Sequence, residues 1–190
     1  MAQQSEIPHL EVTSAEGLWT WLADNHDGPS VWLVTWKAAH PEKYVSRDEV
    51  LDALVAYGWI DGRRMKVDAD RTKQLIAPRR QQAWARSYKA RAERLIADGR
   101  MAAPGLATMQ AGKDSGLWDW SDPVDDLEVP EDLRAALQTG GGANWFEAAA
   151  PSYRRNVLRF IAGAKRAETR AKRIAAVAGH AGRGEKLPQY

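Results

Sequence analysis

The residues best suited to chemistry lie in one stretch, Pro78-Arg79-Arg80, with Trp84 shortly after it. Pro78 closes a strand and the chain then reads as helix, which places both arginines at a helix start. Free backbone N–H groups and the positive end of the helix dipole already occupy such a place, and acids are preferred there. Two arginines make sense at that point when an anion, a carboxylate or a phosphate, sits among them. Asp61 is the internal alternative. It lies between Ile60 and Gly62 in an upstream strand and shares a strand face with Trp59. Either it neutralises the arginines or it lines a pocket with them. Counting outward from Ala69 sets Asp61 opposite Ala77, next to Arg79 and Arg80. The expected binding site is therefore Trp59, Asp61, Arg79, Arg80 and Trp84, an anion site with an aromatic wall. General acid–base work needs a second titratable partner, which the sequence does not identify, so no catalytic residue is assigned.

A second basic signal lies near the C-terminus. At 100° per residue, Arg155, Arg159, Arg166, Arg170 and Arg173 fall within about 60° of one another on one helix. An unbroken helix would carry them along roughly 27 Å, a stripe suited to a nucleic-acid backbone or an anionic surface. Gly163 could instead break the helix, with Thr169 capping a second one, and a solvated face is the plainer alternative. All five are expected to be largely exposed, because burying unpaired guanidinium groups is costly.

Other chemistry finds little support. His9, His26, His40 and His180 are scattered without ligand spacing. Asp68 and Asp70 sit in a turn, where carboxylates either form the turn or hold a cation. Gly140-Gly141-Gly142 is not followed by a phosphate-binding lysine and reads as a hinge between helices. With no cysteine there is no thiolate nucleophile or metal site, and no metal or cofactor is expected.

These residues need elements to hold them. The patterns Thr13-Ser14-Ala15-Glu16 and Ser46-Arg47-Asp48-Glu49 are capping boxes that open two helices. Between them Val31-Trp32-Leu33-Val34-Thr35-Trp36 is a strand with Trp32 and Trp36 on one face. Trp59 to Val67 and Arg71 to Ala77 form a hairpin about Asp68-Ala69-Asp70. Helices are expected at Ala103 to Lys113, from Pro130 to near Gly140, at Asn144 to Ala149, and from Pro151 to about Ala178. The fold class is α+β, a small antiparallel sheet with flanking helices followed by an all-helical extension.

At 190 residues, with 44% hydrophobic and 27% charged, the chain has room for one compact domain and a helical extension. Its net charge of +2 hides an asymmetry: residues 114–132 hold eight acids and no base, between basic segments on either side. The expected boundaries are an α+β domain over 1–115, an acidic linker over 116–130, a helical segment over 131–180 and a frayed tail over 181–190. No run is apolar enough to span a membrane, and Met1 to Glu6 has no signal-peptide character, which together suggest a cytoplasmic protein.

Gly58-Trp59-Ile60-Asp61-Gly62-Arg63, Ala77-Pro78-Arg79-Arg80 and Gly99-Arg100-Met101-Ala102-Ala103-Pro104-Gly105 resemble the YdeI/OmpD-associated family. Ser152-Tyr153-Arg154-Arg155 and Ala164-Lys165-Arg166-Ala167-Glu168-Thr169-Arg170, ending Arg173-Ile174, are similar to that family's closing segment. The resemblance implies a frataxin-like (YjbR/CyaY-like) sandwich and a role labelled bacteriocin protection, with no established catalytic residues. It suggests a non-enzymatic factor in resistance to antimicrobial peptides or envelope stress. Alternatives are nucleic-acid binding through the basic helices, and anion or small-molecule binding at the Trp59/Asp61/Arg79/Arg80 site. Ala56-Tyr57 stands where the family often has a cysteine, which tells against a role needing a thiol. The missing export signal argues against direct contact with a porin.

Overall fold

A computed structural model of the chain describes residues 7–189. Met1 to Glu6, on which the reading of the N-terminus rests, lie outside the described residues, as does Tyr190. The chain divides into two compact units, 1–119 and 120–190.

The first unit orders its elements as β1 (His9–Glu11), α1 (Ala15–Asn25), β2 (Val31–Trp36), α2 (Arg47–Ala56), β3 (Trp59–Lys66), β4 (Arg71–Pro78), α3 (Arg86–Ala97) and α4 (Ala103–Asp114). The strands form one sheet in the order β1-β2-β4-β3. The α+β class holds, but the sheet is mixed rather than antiparallel. β1 runs parallel to β2, with Leu10 opposite Leu33, and α1 supplies the crossover a parallel pair requires. Helix α1 starts one residue later than the pattern implied, on Ser14, whose hydroxyl accepts the Gly17 N–H at 3.0 Å. At α2 the box is reciprocal: Ser46 accepts from the Glu49 N–H, and the Glu49 carboxylate accepts from the Ser46 N–H at 2.8 Å.

One sheet face is covered by α1 and α2. Leu18 and Leu22, with Val50 and Leu54, pack on Leu33, Trp59 and Ile76. The hairpin forms as expected, yet Asp61 faces Ile76 instead of Ala77. A bulge lies between Asp61 and Arg64, where Gly62 and Arg63 together oppose Leu75, and each pair beyond it moves by one residue.

Asp68 closes the turn. Its carboxylate accepts the Asp70 N–H at 2.9 Å and the Arg71 N–H at 2.7 Å, and pairs with the Arg71 guanidinium. Asp70 sits 3.0 Å from the His40 ring. Asp68 thus closes the turn, while the Asp70 carboxylate ties it to His40. The Arg71 side chain, helped by those N–H groups, lowers the Asp68 pKa from 3.8 to about 2. A depressed carboxylate pKa stabilises the fold above the unfolded value, and that contribution fades as pH falls through the folded one. Asp68→Asn is therefore expected to lower the melting temperature near neutral pH, with the difference shrinking below about 3.8 and gone once pH passes about 2. A difference that persists unchanged in acid would show that charge is not its source.

The second unit is helical: α5 (Asp122–Asp125), α6 (Glu131–Thr139), α7 (Ala143–Ala148), α8 (Pro151–Ala162) and α9 (Ala167–Gly182). Its core joins Leu133, Leu137, Phe146, Val157, Ile161 and Val177. The acidic stretch is not wholly extended, because α5 forms within it and Val124 enters this core. Nor does the tail fray at Gly182. Leu187 is 3% exposed, and its N–H donates to the buried Tyr153 hydroxyl at 3.1 Å.

Candidate functional site

The arginines of Pro78-Arg79-Arg80 do not begin a helix. Pro78 has no N–H, but the Arg79 N–H extends the ladder to the Gly58 carbonyl at 2.8 Å. The chain must then reach Leu117, whose carbonyl takes the Trp84 N–H at 3.0 Å, before α3 opens behind Ala85. Long-range pairing thus overrides the local helical pattern. The helix-dipole argument for an anion falls with it, and the case rests on Arg79 itself.

Arg79 is 7% exposed. Its Nη1 donates to the carbonyls of Gln82 and Ala83 at 3.2 and 3.1 Å, and the guanidinium lies 4.2 Å from the Trp84 ring and 5.0 Å from that of Tyr88. Its Nε and Nη2 have no hydrogen-bond partner among the described residues. Burial lowers the pKa from 12.5 to about 10, opposed by the negative charge of Asp61. Arg79 lines a cleft of about 260 Å³ with Arg80, Gln82, Trp84, Thr108, Leu117 and the α4 surface. Gly112 leaves room for the tryptophan that walls this cleft, since a Cβ there would lie 2.5 Å from Trp84 Nε1.

Asp61 makes no ion pair with either arginine among the described residues. Its carboxylate accepts from the Tyr88 hydroxyl and from Gln74 Nε2 at 2.7 Å, and Gln74 Oε1 accepts from Arg64 at 2.8 Å. Tyr88 links the two charges, with its hydroxyl on Asp61 and its ring against Arg79. Trp59 belongs elsewhere. It is fully buried, donates to the His26 carbonyl at 2.7 Å and packs edge-on against Trp21. Of the five expected residues, Arg79, Arg80 and Trp84 line one cleft, Asp61 is a neighbour through Tyr88, and Trp59 is core. Tyr88, Thr108 and Leu117 were not foreseen. A burial pattern on α3 could have flagged Tyr88; nothing local marks the other two.

The opposite sheet face carries a second constellation. Trp32 and Trp36 lie on it, with Lys73 Nζ and the Arg63 guanidinium 4.7 and 5.3 Å from the Trp32 ring. Lys43 Nζ and the Arg71 guanidinium stand 4.4 and 5.4 Å from that of Trp36. Glu11 supplies a carboxylate here, pairing with Arg71 at 2.8 Å and accepting from Trp36 Nε1. Elsewhere in the first unit, buried Asp52 joins α2 to α3 by accepting from Arg91 and from Arg94 at 2.5 Å.

The C-terminal arginines do not form one stripe, because α8 ends at Ala162 and α9 starts at Ala167. Arg159 and Arg166 are exposed, whereas Arg155, Arg170 and Arg173 are half-buried. Arg170 holds Asp132 with two bonds of 2.6 and 2.9 Å, lowering the Asp132 pKa and raising its own. Arg159 lies 3.9 Å from Asp125, and Arg173 donates to the Phe160 carbonyl across the break. Three of the five are thereby tied within their own unit. Among the described residues no three or more His, Asp or Glu side chains gather as a metal site would require, and none of their helices is long and apolar enough to cross a membrane.

A mixed sheet covered by helices on one face, joined in sequence to a helical unit, defines an α+β protein. Residues 10–108, more than half of the chain, match a family described as a Domain of unknown function (DUF8412), and the chain belongs to that family. Residues 126–184 match a second family, described as Bacteriocin-protection, YdeI or OmpD-Associated, which supports the resemblance read from the closing segment. Neither match carries the expected YjbR/CyaY-like kinship. No curated protein and no solved structure matches the chain.

Proposed function

We propose that the first unit binds a small anion at Arg79, and that the chain is a non-enzymatic cytoplasmic factor in resistance to antimicrobial peptides or envelope stress. The second part of this reading draws on the family matched by the helical unit. The first part rests on one observation: a buried guanidinium beside a cleft, with Nε and Nη2 left without a protein partner. These two N–H groups form one edge of the guanidinium, the edge that a carboxylate or phosphate takes with two parallel bonds. Trp84, Tyr88 and two carbonyls fix the group in advance, so little entropy is lost on binding. The expected result is anion-dependent thermal stabilisation that Arg79→Met abolishes, with a matching loss of protection when the variant is expressed in a peptide-sensitive host. Equal stabilisation of parent and variant would exclude the site.

The cations over Trp32 and Trp36 favour a second reading, single-stranded nucleic acid on the open sheet face in place of the basic helices. Phosphates would draw Arg63 and Lys73 off the ring they cover, and bases would stack on the tryptophans. Fluorescence anisotropy with a labelled oligonucleotide should then show binding that weakens steeply with salt and is lost in Arg63→Glu/Lys73→Glu. If that pair binds like the parent, the cations simply shield the rings from water.

A further inference from the structure

Resting on the anion reading of Arg79, we infer that the occupant of its cleft is a monocarboxylate with a compact apolar body, an aromatic or branched aliphatic acid rather than a phosphate. Charge supports this first. The guanidinium already feels the negative charge of Asp61, so the buried surroundings are close to neutral before any ligand arrives. A single further negative charge is balanced by Arg80, whose exposed side chain lines the same cleft. A phosphate dianion would leave an uncompensated charge in a place that penalises it.

The donor inventory points the same way. Two N–H groups on one edge satisfy both oxygens of a carboxylate, whereas inorganic phosphate brings four oxygens, of which that edge reaches two. The Thr108 hydroxyl already donates to the Pro104 carbonyl at 2.8 Å. No residue of the first turn of α3 lines the cleft among the described residues, so no helix N-terminus supplies further N–H groups. What remains is Arg80 and Gln82, whose exposed side chains border the entrance. Both free N–H groups of Arg79 lie below the surface, so an acid reaches them as the side chains lining the cleft move aside.

The wall then selects the body. Beyond Arg79 the cleft is bounded by Ala107, Ala111 and Leu117, which offer apolar surface and no charge, with the buried Trp84 behind them. A cavity of ~150 Å³ holds a benzene molecule, so about 260 Å³ accommodates a ring or branched chain together with its carboxylate. Acetate would leave most of that surface wet.

Four probes test this against the full chain by thermal shift and calorimetry: benzoate, 3-methylbutanoate, acetate and inorganic phosphate. Benzoate and 3-methylbutanoate should bind about ten-fold or more tighter than acetate or phosphate, the difference expected from burying several apolar carbons. Ala111→Leu, at an exposed helical position where leucine keeps the helix, should fill the cleft and cost benzoate about ten-fold more than it costs acetate. Arg79→Lys should weaken every carboxylate, because an ammonium cannot present two parallel donors. Phosphate binding as tightly as benzoate, or benzoate indifferent to Ala111→Leu, would overturn the carboxylate assignment and leave the anion reading standing. If none of the four probes binds, or all bind Arg79→Met as well as the parent, both fail together.

Discussion

Arg79→Met is expected to lose all anion-dependent stabilisation, yet to leave the ligand-free protein within about 2 kcal/mol of the parent. The terms are individually large and opposed. The variant gives up two bonds from Nη1 to the carbonyls of Gln82 and Ala83, at about 1.5–3 kcal/mol each for a charged donor. It also loses stacking on Trp84 and Tyr88, worth about 2 kcal/mol in a desolvated setting. Against this, two unpartnered N–H groups disappear, each costing about 1–3 kcal/mol, and the burial of a charge, several kcal/mol more, is relieved. The depressed pKa of about 10 has the same sign, because burial disfavours the charged form. Methionine fills similar volume with adaptable rotamers. A residue kept for stability alone would not show this pattern. If urea denaturation finds Arg79→Met more than about 4 kcal/mol less stable, the guanidinium is structural and the binding site loses its warrant.

Much of the fold was legible because its signals are local. Ser46 and Glu49 stand three apart and cap each other, Asp68 takes N–H groups of residues just after it, and Val31 to Trp36 is a β-branched and aromatic run of strand length. The errors arise where a distant partner decides. The strand β1 is three residues long and exists through its pairing with β2, which no pattern within His-Leu-Glu reveals. The segment after Pro78 has helical composition, but Gly58 and Leu117 claim the N–H groups of Arg79 and Trp84 first.

The candidate site was legible in its residue types and less so in its geometry. Arginine next to proline and tryptophan marked the stretch from which Arg79, Arg80 and Trp84 come to line one cleft. The bulge at Gly62 shifted the register by one, and Asp61 found Tyr88 and Gln74 where an ion pair was expected. Trp59 and Asp61 share a face, as alternation requires, but that face turns toward α2, and the first of them is sealed in the core. Alternation gives the face of a strand. It does not say which face meets the ligand.

Gly105→Ala is the second substitution with a large expected effect, and it explains a motif whose meaning the sequence left open. In Gly99-Arg100-Met101-Ala102-Ala103-Pro104-Gly105, the last residue lies in the first turn of α4, where that helix crosses the end of α2. The Ala102 N–H donates to the Ala56 carbonyl at 3.1 Å, which fixes the approach. A Cβ on Gly105 would lie 2.2 Å from that same carbonyl oxygen and 2.7 Å from its carbon. Backbone cannot swing aside as a flexible side chain can, so α4 must shift. Overpacking of this kind costs about 3 kcal/mol at the upper end of its usual range, against about 1 kcal/mol gained from alanine's helix propensity. The net expectation is a loss of about 2 kcal/mol. Gly99→Ala is the matched control: its φ of +67° penalises alanine by about 1–2 kcal/mol, but nothing lies within 4 Å of the added carbon. The two variants separate further at the cleft, because α4 carries Ala107, Thr108, Ala111 and Gly112 along its wall. Gly105→Ala should weaken anion binding together with stability, whereas Gly99→Ala should lower stability alone. Finding the two equally able to bind, or Gly105→Ala as stable as the parent, would mean that α4 can yield without cost and does not set the width of the cleft.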